Sequence, residues 1–235
     1  MQNELRLEFC IHVPHASTTI PQELRGDFSI THDELDLEAR VSADLYSDLL
    51  AKEAWPDANI VSAHVSRIVV DVERYRDDEM EEMSKVGRGV IYKCDHTGRE
   101  MRNVITHEKR EKLLNDFYYP HWERLRAAAK DNILIDLHTY PLKPWVIELH
   151  SSGERPEIDL GFSKDLTPMR WVDNLTTHFK NMGYSVGHNT PYFGVINAGA
   201  TASIMIEIRR DVVGVPGTDP VWKRLVTTLS KMPMG

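Results

Sequence analysis

The feature that most constrains the fold is a short apolar run, Asn132 to Leu137 (NILIDL). Runs this short and this apolar are typical of strands that are buried on both faces of a parallel sheet. Leu5 to Val13 and Ser203 to Ile208 (SIMIEI) are also predicted to be strands. Segments with helical spacing of apolar residues lie between these runs, and that alternation predicts an α/β protein.

The other elements are predicted from apolar periodicity, capping residues and proline positions. Thr31 is the predicted N-cap of a helix over 33–53, and Pro120 is expected to kink a helix over 106–130. The charged segment 73–102 has no steady period and is expected to be a long functional loop. Further helices are predicted over 168–182 and 219–231, and further strands over 59–65, 67–72 and 145–149.

The composition is that of an ordinary globular protein. The 235 residues are 41% hydrophobic and 27% charged, and because we find no repeat or linker we expect one domain over residues 1–235. The net charge of -8 argues against nucleic-acid binding, which usually requires a concentrated basic face. With no signal peptide and no apolar run of the ~18–20 residues that span a bilayer, we expect a cytoplasmic protein without a membrane partner.

Polar, reactive residues stand where three of the predicted strands end. The first of these strands ends near His15, the second is followed by His138, and the third carries Glu207. In parallel α/β sheets, ligands gather beyond the carboxyl ends of the strands, so these side chains are expected to meet. Two imidazoles and a carboxylate form a common catalytic zinc site, and zinc lowers the pKa of bound water to ~7.

Four motifs in this order resemble the N-formylglutamate amidohydrolase family: HVPHAS, SRIVVDVERYR, IDLHTY and MIEIRRD. The last two also resemble the turn and the late strand of zinc carboxypeptidases. The resemblance covers about residues 10–211. It implies a three-layer α/β/α domain of the phosphorylase/hydrolase-like kind, with a mixed, mostly parallel sheet between two helical layers.

The resemblance implies a metal site as well as a fold. His15 and His138 would bind Zn²⁺ together with one carboxylate. Glu38 is the residue that the motif favours for this carboxylate, with Asp36 as the next choice and Asp44 as the less favoured third.

The resemblance also implies roles for the remaining motif residues. Glu207 would act as the general base, and Arg209 would help to stabilise the oxyanion. Arg74 would bind the carboxylate of the substrate, since a planar guanidinium can bind a carboxylate through two hydrogen bonds. Arg67 and Asp71 would support the floor of the pocket.

Three further polar residues are expected to support the site or the core rather than to bind metal. His12 would point away from His15 along an extended strand. Asp136 lies two residues before His138, on the same face of its strand. His121 lies on the long helix and is expected to be a supporting residue.

The predicted function is zinc-dependent hydrolysis of the amide bond of a small N-acyl amino acid with a carboxylate, such as N-formylglutamate. Glu73 departs from the family motif, which has Asn there, and the loop over 76–102 also departs from it. Two alternatives therefore remain open. One is a carboxypeptidase-like or peptidoglycan amidase with the same metal site, and the other is a non-catalytic binding protein of the same fold.

Overall fold

The centre of the fold is a six-stranded sheet with the strand order β2-β1-β3-β6-β4-β5. The computed structural model describes residues 9–149 and 153–234. All neighbouring strands are parallel except β4 and β6, which are antiparallel. The strands are β1 (Phe9–Val13), β2 (Asn59–Ser62), β3 (Ile133–Tyr140), β4 (Ile158–Gly161), β5 (Val186–His188) and β6 (Ala202–Arg209).

Helices cover both faces of this sheet. Successive side chains of a strand point to opposite faces, so Ile135 of β3 packs in one core and its neighbour Leu134 packs in another. Both Trp171 and Trp222 lie fully buried in the first core. The helices are α1 (His32–Ser42), α2 (Ser47–Ala54), α3 (His107–Leu113), α4 (Tyr119–Ala129), α5 (Met169–Asn181) and α6 (Pro220–Ser230). The predicted three-layer fold with a mixed, mostly parallel sheet is confirmed.

A separate apolar cluster anchors the long loop beside the sheet. Ile68, Val70 and Tyr92 are buried in it together with Leu35 of α1. The strand predicted over 67–72 is wrong, because this buried segment follows turns and pairs with no strand. The prediction of a long loop over 73–102 is confirmed, apart from one 3₁₀ turn at Glu82–Val86.

The helix predicted over 33–53 is interrupted in the middle. Thr31 caps α1 as predicted, and its side chain and that of Glu34 form a reciprocal capping box. The chain leaves the helix at Ala43 and re-enters at Tyr46, which has a left-handed φ of 70°. In this break the amide of Asp44 donates a hydrogen bond to the carbonyl of His15 at 2.8 Å, which brings the Asp44 side chain to the carboxyl end of β1.

The remaining predictions concern the helix that contains Pro120 and the short strands. The helix predicted over 106–130 contains a π-helical turn over Leu114–Tyr118 between α3 and α4, and Pro120 lies in the first turn of α4. The strand predicted over 145–149 is wrong, while the short strands β4 and β5 were not predicted. Residues 5–8 of the first predicted strand lie outside the described residues. In the described part of the chain, no helix has the length and apolarity needed to cross a membrane.

Candidate active site

Two histidines meet at the carboxyl edge of the sheet. His15 follows β1 and His138 lies on β3, and the centroids of their rings are 5.1 Å apart. Glu207 of β6 is the direct register partner of His138. All three side chains are buried. The structure therefore brings together the three residues that the strand ends indicated.

Asp44 lies on the Nδ1 side of both rings. Its Oδ2 is 3.3 Å from Nδ1 of His138 and 3.7 Å from Nδ1 of His15. The second distance is too long for a hydrogen bond, and the buried Nδ1 of His15 has no hydrogen-bond partner within the described residues. Such an orphaned nitrogen beside a carboxylate is available to a cation.

Glu73 lies on the Nε2 side of the same two rings. Its Oε2 is 3.2 Å from Nε2 of His138 and 3.7 Å from Nε2 of His15. Together these three residues offer donor atoms within 4.8 Å of one another. The two imidazoles are thus enclosed by two acids, one on each edge.

Asp71 holds the outer nitrogen of His15. Its Oδ1 lies 2.9 Å from Nε2 of the ring. Arg67 donates two hydrogen bonds to Oδ2, at 3.0 and 2.8 Å, and the hydroxyl of Tyr92 donates a third at 2.6 Å. Burial opposes ionisation, but the guanidinium of Arg67 and the imidazole of His15 hold the pKa of Asp71 well below its usual range.

Asp136 lies beside the outer nitrogen of His138, but within the described residues this nitrogen has no hydrogen-bond partner. Its Oδ1 is 3.0 Å from Nε2 of His138 and 2.8 Å from Nδ1 of His12. The other nitrogen of His12, Nε2, is 2.8 Å from Nε2 of His121 on α4. These four side chains are all buried. The expectation that His12, His121 and Asp136 lie behind the site agrees with this placement.

Glu207 is a buried carboxyl group facing other acids. It pairs in register with Asp159 of β4, and its Oε2 has no hydrogen-bond partner among the residues described. Burial raises the pKa of Glu207 to about 8; His138 opposes this rise, and the carboxylates of Asp44 and Glu73 add to it. A carboxyl group with a pKa close to neutrality can both accept and return a proton.

The charge and donor set fit a divalent cation. Three guanidinium groups contact this acid cluster: Arg67, Arg74 and Arg210. The five acids around the two histidines are Asp44, Asp71, Glu73, Asp136 and Glu207. The pKa of His138 is raised well above its usual value: burial lowers it, but the carboxylates of Glu73 and Asp136 outweigh burial.

The spacing of the donors agrees with the same conclusion. Ligands about 2.0–2.1 Å from a tetrahedral zinc ion are separated by roughly 3.3 Å. The Asp44 Oδ2 to Nδ1 distances of 3.3 and 3.7 Å and the Glu73 Oε2 to Nε2 distances of 3.2 and 3.7 Å are both close to that separation. Nitrogen and oxygen donors of this kind suit zinc.

Glu38 is not at this site, and its prediction as the metal ligand is corrected here. Its carboxylate accepts hydrogen bonds from Arg88 at 3.1 Å and from Ser42 at 2.6 Å, and it lies 2.6 Å from Nδ1 of His96. A buried carboxylate needs such partners, and these engage both of its oxygens. The next choice, Asp36, is exposed and forms an ion pair with Arg25.

The predicted arginines occupy three different environments. Arg67 is engaged by Asp71, as described above. Arg74 has its Nε 3.8 Å from Asp71 and 3.9 Å from Glu81. Arg209 is turned aside, since its guanidinium donates two hydrogen bonds to Asp211 at 2.7 and 3.1 Å. The structure thus separates Arg209 from the residues around His138.

Arg210 is a site residue that the sequence did not indicate. Its Nη1 donates to the carbonyl of Val41 at 2.8 Å, and its Nη2 contacts Asp44 Oδ1 at 3.3 Å. The indole of Trp145 lies beside its guanidinium, at 5.7 Å. The sequence analysis assigned a role to Arg209 instead, although Arg210 is its neighbour in the same motif, MIEIRRD. The position of Glu73 at the site could have been predicted more easily, because Glu73 follows Asp71 by two residues within one motif.

Fold and site together define a class of protein: a three-layer α/β protein with a buried histidine and acid site at the carboxyl edge of its sheet. The family can also be stated. The model of the N-formylglutamate amidohydrolase family matches residues 7–213, so the chain belongs to that family, a family of amide hydrolases. The resemblance seen in the four motifs is confirmed.

Solved structures show the same fold. The crystal structure of N-formylglutamate amidohydrolase from Ralstonia eutropha JMP134 is similar with a TM-score of 0.76 and 20% identity, over 96% of this chain and 92% of that one. The crystal structure of gene product Atu2144 from Agrobacterium tumefaciens has a TM-score of 0.65 and 18% identity, over 95% and 86%. No curated protein shows significant similarity to the chain.

Proposed function

We propose that the protein is a zinc-dependent amidohydrolase that cleaves the amide bond of a small N-acyl amino acid of the N-formylglutamate type. The observation that carries the proposal is the meeting of His15, His138 and Asp44 beside Glu207, a buried carboxyl group with an unpartnered oxygen. Membership of the amidohydrolase family supports the reaction class.

We assign the cation to the Nδ1 side of the two imidazoles, so that His15, His138 and Asp44 would hold it. The reason is the acid behind each ring: Asp71 accepts a hydrogen bond from Nε2 of His15, and Asp136 lies 3.0 Å from Nε2 of His138. A histidine that binds metal through one nitrogen usually donates its other N–H to a carboxylate or carbonyl. Binding through Nε2 with Glu73 would break the hydrogen bond between His15 and Asp71. When bound, a zinc ion supplies Lewis acidity toward the acyl carbonyl and promotes the ionisation of water.

Glu207 is proposed to move the proton. Its Oε2 would accept a proton from the attacking water and later return it to the nitrogen of the leaving amine. The charge of a bound cation would lower the pKa of Glu207 from about 8 toward neutrality. This is the range in which a general base works best at neutral pH.

Arg74 is proposed to bind the carboxylate of the substrate. Its guanidinium contacts acids only at 3.8 and 3.9 Å, beyond hydrogen-bond distance, and its side chain is 27% exposed. Arg67 is engaged by Asp71, and Arg210 is anchored by Val41 and Asp44. The variants Arg74→Gln and Arg210→Gln test which of these two arginines binds the carboxylate of the substrate. We expect Arg74→Gln to raise KM for N-formylglutamate much more than KM for an N-formyl amino acid amide without that carboxylate.

The choice of substrate is tested with a panel of amides. Hydrolysis of N-formylglutamate, other N-formyl and N-acetyl amino acids, short peptides and muropeptides is measured on the zinc-loaded protein. The proposal expects the highest kcat/KM for an N-formyl acidic amino acid. Preference for peptides or muropeptides favours the peptidase or peptidoglycan amidase alternative, and zinc binding without any hydrolysis favours the binding protein.

The role of Glu207 is tested by Glu207→Gln. Zinc stoichiometry should stay unchanged while kcat falls by about 10²–10⁴-fold, the usual contribution of a general base. Glu154→Gln, at an exposed position, is the matched control and should have no effect. Normal turnover by Glu207→Gln would refute the assignment.

A further inference from the structure

Two aromatic side chains, one from the π-helical turn and one from α4, reach the segment that carries Arg74. The hydroxyl of Tyr118 donates a hydrogen bond to the carbonyl of Arg74 at 3.0 Å. The indole N–H of Trp122 donates to the carbonyl of Val72 at 2.8 Å. The two acceptors stand one residue before and one residue after Glu73. Both hydrogen bonds therefore hold the backbone beside residues of the site.

The amide groups of the same segment are held by Asp71. The amide of Glu73 donates to Oδ1 of Asp71 at 3.0 Å, and the amide of Arg74 donates to the Asp71 carbonyl at 3.3 Å. Residues 72–74 lie in a turn of the loop, where backbone groups must find partners other than those of a strand or helix. Asp71 thus engages two N–H groups of the segment, while Tyr118 and Trp122 engage two carbonyls.

The two donors are neighbours on one helix face. Tyr118 and Trp122 lie four residues apart, the spacing that places side chains on the same face of a helix. The centroids of their rings are 6.2 Å apart. Tyr118 is the last residue of the π-helical turn over Leu114–Tyr118, and π turns within α-helices often occur at functional sites. The face that follows this turn is the one that contacts the Arg74 segment.

The guanidinium of Arg74 depends on its backbone for its position. Its Nε has no hydrogen-bond partner within the described residues, and the acids Asp71 and Glu81 are 3.8 and 3.9 Å away from it. Bidentate binding of a carboxylate requires a guanidinium in a defined orientation. A binding residue keeps such an orientation only when the groups around it hold it in place.

We infer that Tyr118 and Trp122 are positioning residues, which hold the carbonyls of Val72 and Arg74 so that the guanidinium of Arg74 is presented to the carboxylate of the substrate. This inference rests on the proposed function for its consequence, namely the affinity for an N-acyl amino acid that carries this carboxylate. The two hydrogen bonds to the backbone do not depend on that function.

The first test removes one hydroxyl from each of two neighbouring tyrosines. Tyr118→Phe should raise KM for N-formylglutamate by about 2–10-fold, the equivalent of one neutral hydrogen bond. Its kcat should stay within about 2-fold of the wild type, because binding of a remote carboxylate is the same in the ground state and the transition state. KM for an N-formyl amino acid amide without that carboxylate should not change.

Tyr119→Phe is the matched control for Tyr118→Phe. The hydroxyl of Tyr119 accepts a hydrogen bond from Nη1 of the exposed Arg76 at 3.1 Å, so its loss removes a contact with a side chain and not with the backbone of Arg74. We expect KM and kcat of Tyr119→Phe to equal those of the wild type for both substrates.

A double-mutant cycle shows whether Tyr118 acts through Arg74. In the background of Arg74→Gln, Tyr118→Phe should raise KM for N-formylglutamate no further. Trp122→Phe, which removes the donor to Val72 and keeps an aromatic ring, should behave in the same way. The inference is overturned if the two increases in KM multiply, or if Tyr118→Phe raises KM equally for both substrates.

A second readout needs no substrate. Exchange of the amide protons of Glu73 and Arg74 with deuterium reports how firmly the segment is held. Tyr118→Phe and Trp122→Phe should exchange these protons about 2–10-fold faster than the wild type, and Tyr119→Phe should exchange them at the wild-type rate.

The outcomes separate the positioning of Arg74 from the proposed function. Unchanged exchange in both Tyr118→Phe and Trp122→Phe, or equally fast exchange in Tyr119→Phe, would overturn the inference. If the wild type hydrolyses no N-formyl amino acid while exchange is faster in Tyr118→Phe and Trp122→Phe alone, the hold on the segment stands and the proposed function fails.

Discussion

His15 and His138 occupy the same edge of the sheet, yet they are supported by different kinds of structure. The support of His15 is an ion pair, because Asp71 is held by the guanidinium of Arg67 four residues earlier in the chain. The acid beside His138 is Asp136, which is held by hydrogen bonds through His12 to α4, from segments more than 100 residues apart. One acid is thus held by a local ion pair and the other by hydrogen bonds from remote segments.

This difference has a consequence for stability and for metal binding. Removing a partner of a buried ion pair leaves an uncompensated charge and costs about 3–5 kcal/mol. Removing one neutral hydrogen bond costs about 0.5–1.5 kcal/mol. Removal of Asp71 should therefore destabilise the fold, while removal of one hydrogen-bonding group behind Asp136 should have a smaller effect on stability.

The largest effect is expected where the two sides meet. Asp44→Asn removes the acid shared by His15 and His138 and should weaken zinc affinity by more than about 100-fold, beyond the range for groups behind a ligand. Glu38→Gln is the comparison, since Glu38 contacts Arg88 and His96 instead. It should leave zinc affinity within about 3-fold of the wild type. Competition with a chelating dye measures both, and the reverse order would restore Glu38 as the ligand.

The next effect concerns the His15 side. Asp71→Asn should weaken zinc binding by about 10–100-fold and, because Arg67 loses its partner, lower the free energy of unfolding by about 3–5 kcal/mol. The pKa of Asp71 is depressed in the folded protein, so its stabilising effect is present above the unfolded value of about 3.9 and is lost as the pH falls through the folded pKa.

Urea unfolding at several pH values measures this difference. The gap between the wild type and Asp71→Asn should be constant from neutral pH down to about pH 5 and should shrink at more acidic pH. A gap that is absent at neutral pH would contradict the ion-pair support of His15.

A third effect tests the His138 side. Glu73 and Asp136 raise the pKa of His138 well above its usual value, so a proton must leave this ring before zinc binds. Zinc affinity should then rise with pH by up to about 10-fold per unit through the neutral range. The measurement is chelator competition across that range, corrected for protonation of the chelator. An affinity that does not change with pH would show that His138 is already neutral.

The smallest effect on activity and stability is expected for Arg209, which lies apart from the acids beside His15 and His138. Arg209 is bound to the half-exposed Asp211, and surface ion pairs contribute about 0–1 kcal/mol. Arg209→Gln should therefore change kcat/KM and the unfolding free energy only slightly, while Arg74→Gln raises KM. A large loss of kcat in Arg209→Gln would instead support its predicted role at the oxyanion.

The sequence predicted the part of the site that follows from strand order. His15, His138 and Glu207 come at the ends of buried strands, and the rule for parallel sheets brings such ends together. Asp44 was ranked third because the apolar spacing continues through it, from Val41 to Leu45. Only tertiary contacts interrupt the helix there, among them the hydrogen bond from its amide to the carbonyl of His15.

Two wrong predictions have a common physical reason. The segment 67–72 is rich in β-branched residues, and these favour strands, but here they fill an apolar cluster beneath a loop. Glu38 lies on a charged helix, and its partner Arg88 comes from that same loop, 50 residues away. The path of this loop and its contacts do not produce a periodic pattern in the sequence, so neither could be predicted from periodicity.

The most direct test of the central claim is an anomalous difference map at the zinc absorption edge, from crystals of the zinc-loaded protein. The expected result is one strong peak between Nδ1 of His15, Nδ1 of His138 and the Asp44 carboxylate. A peak on the Nε2 side beside Glu73, or none between the two rings, would contradict it.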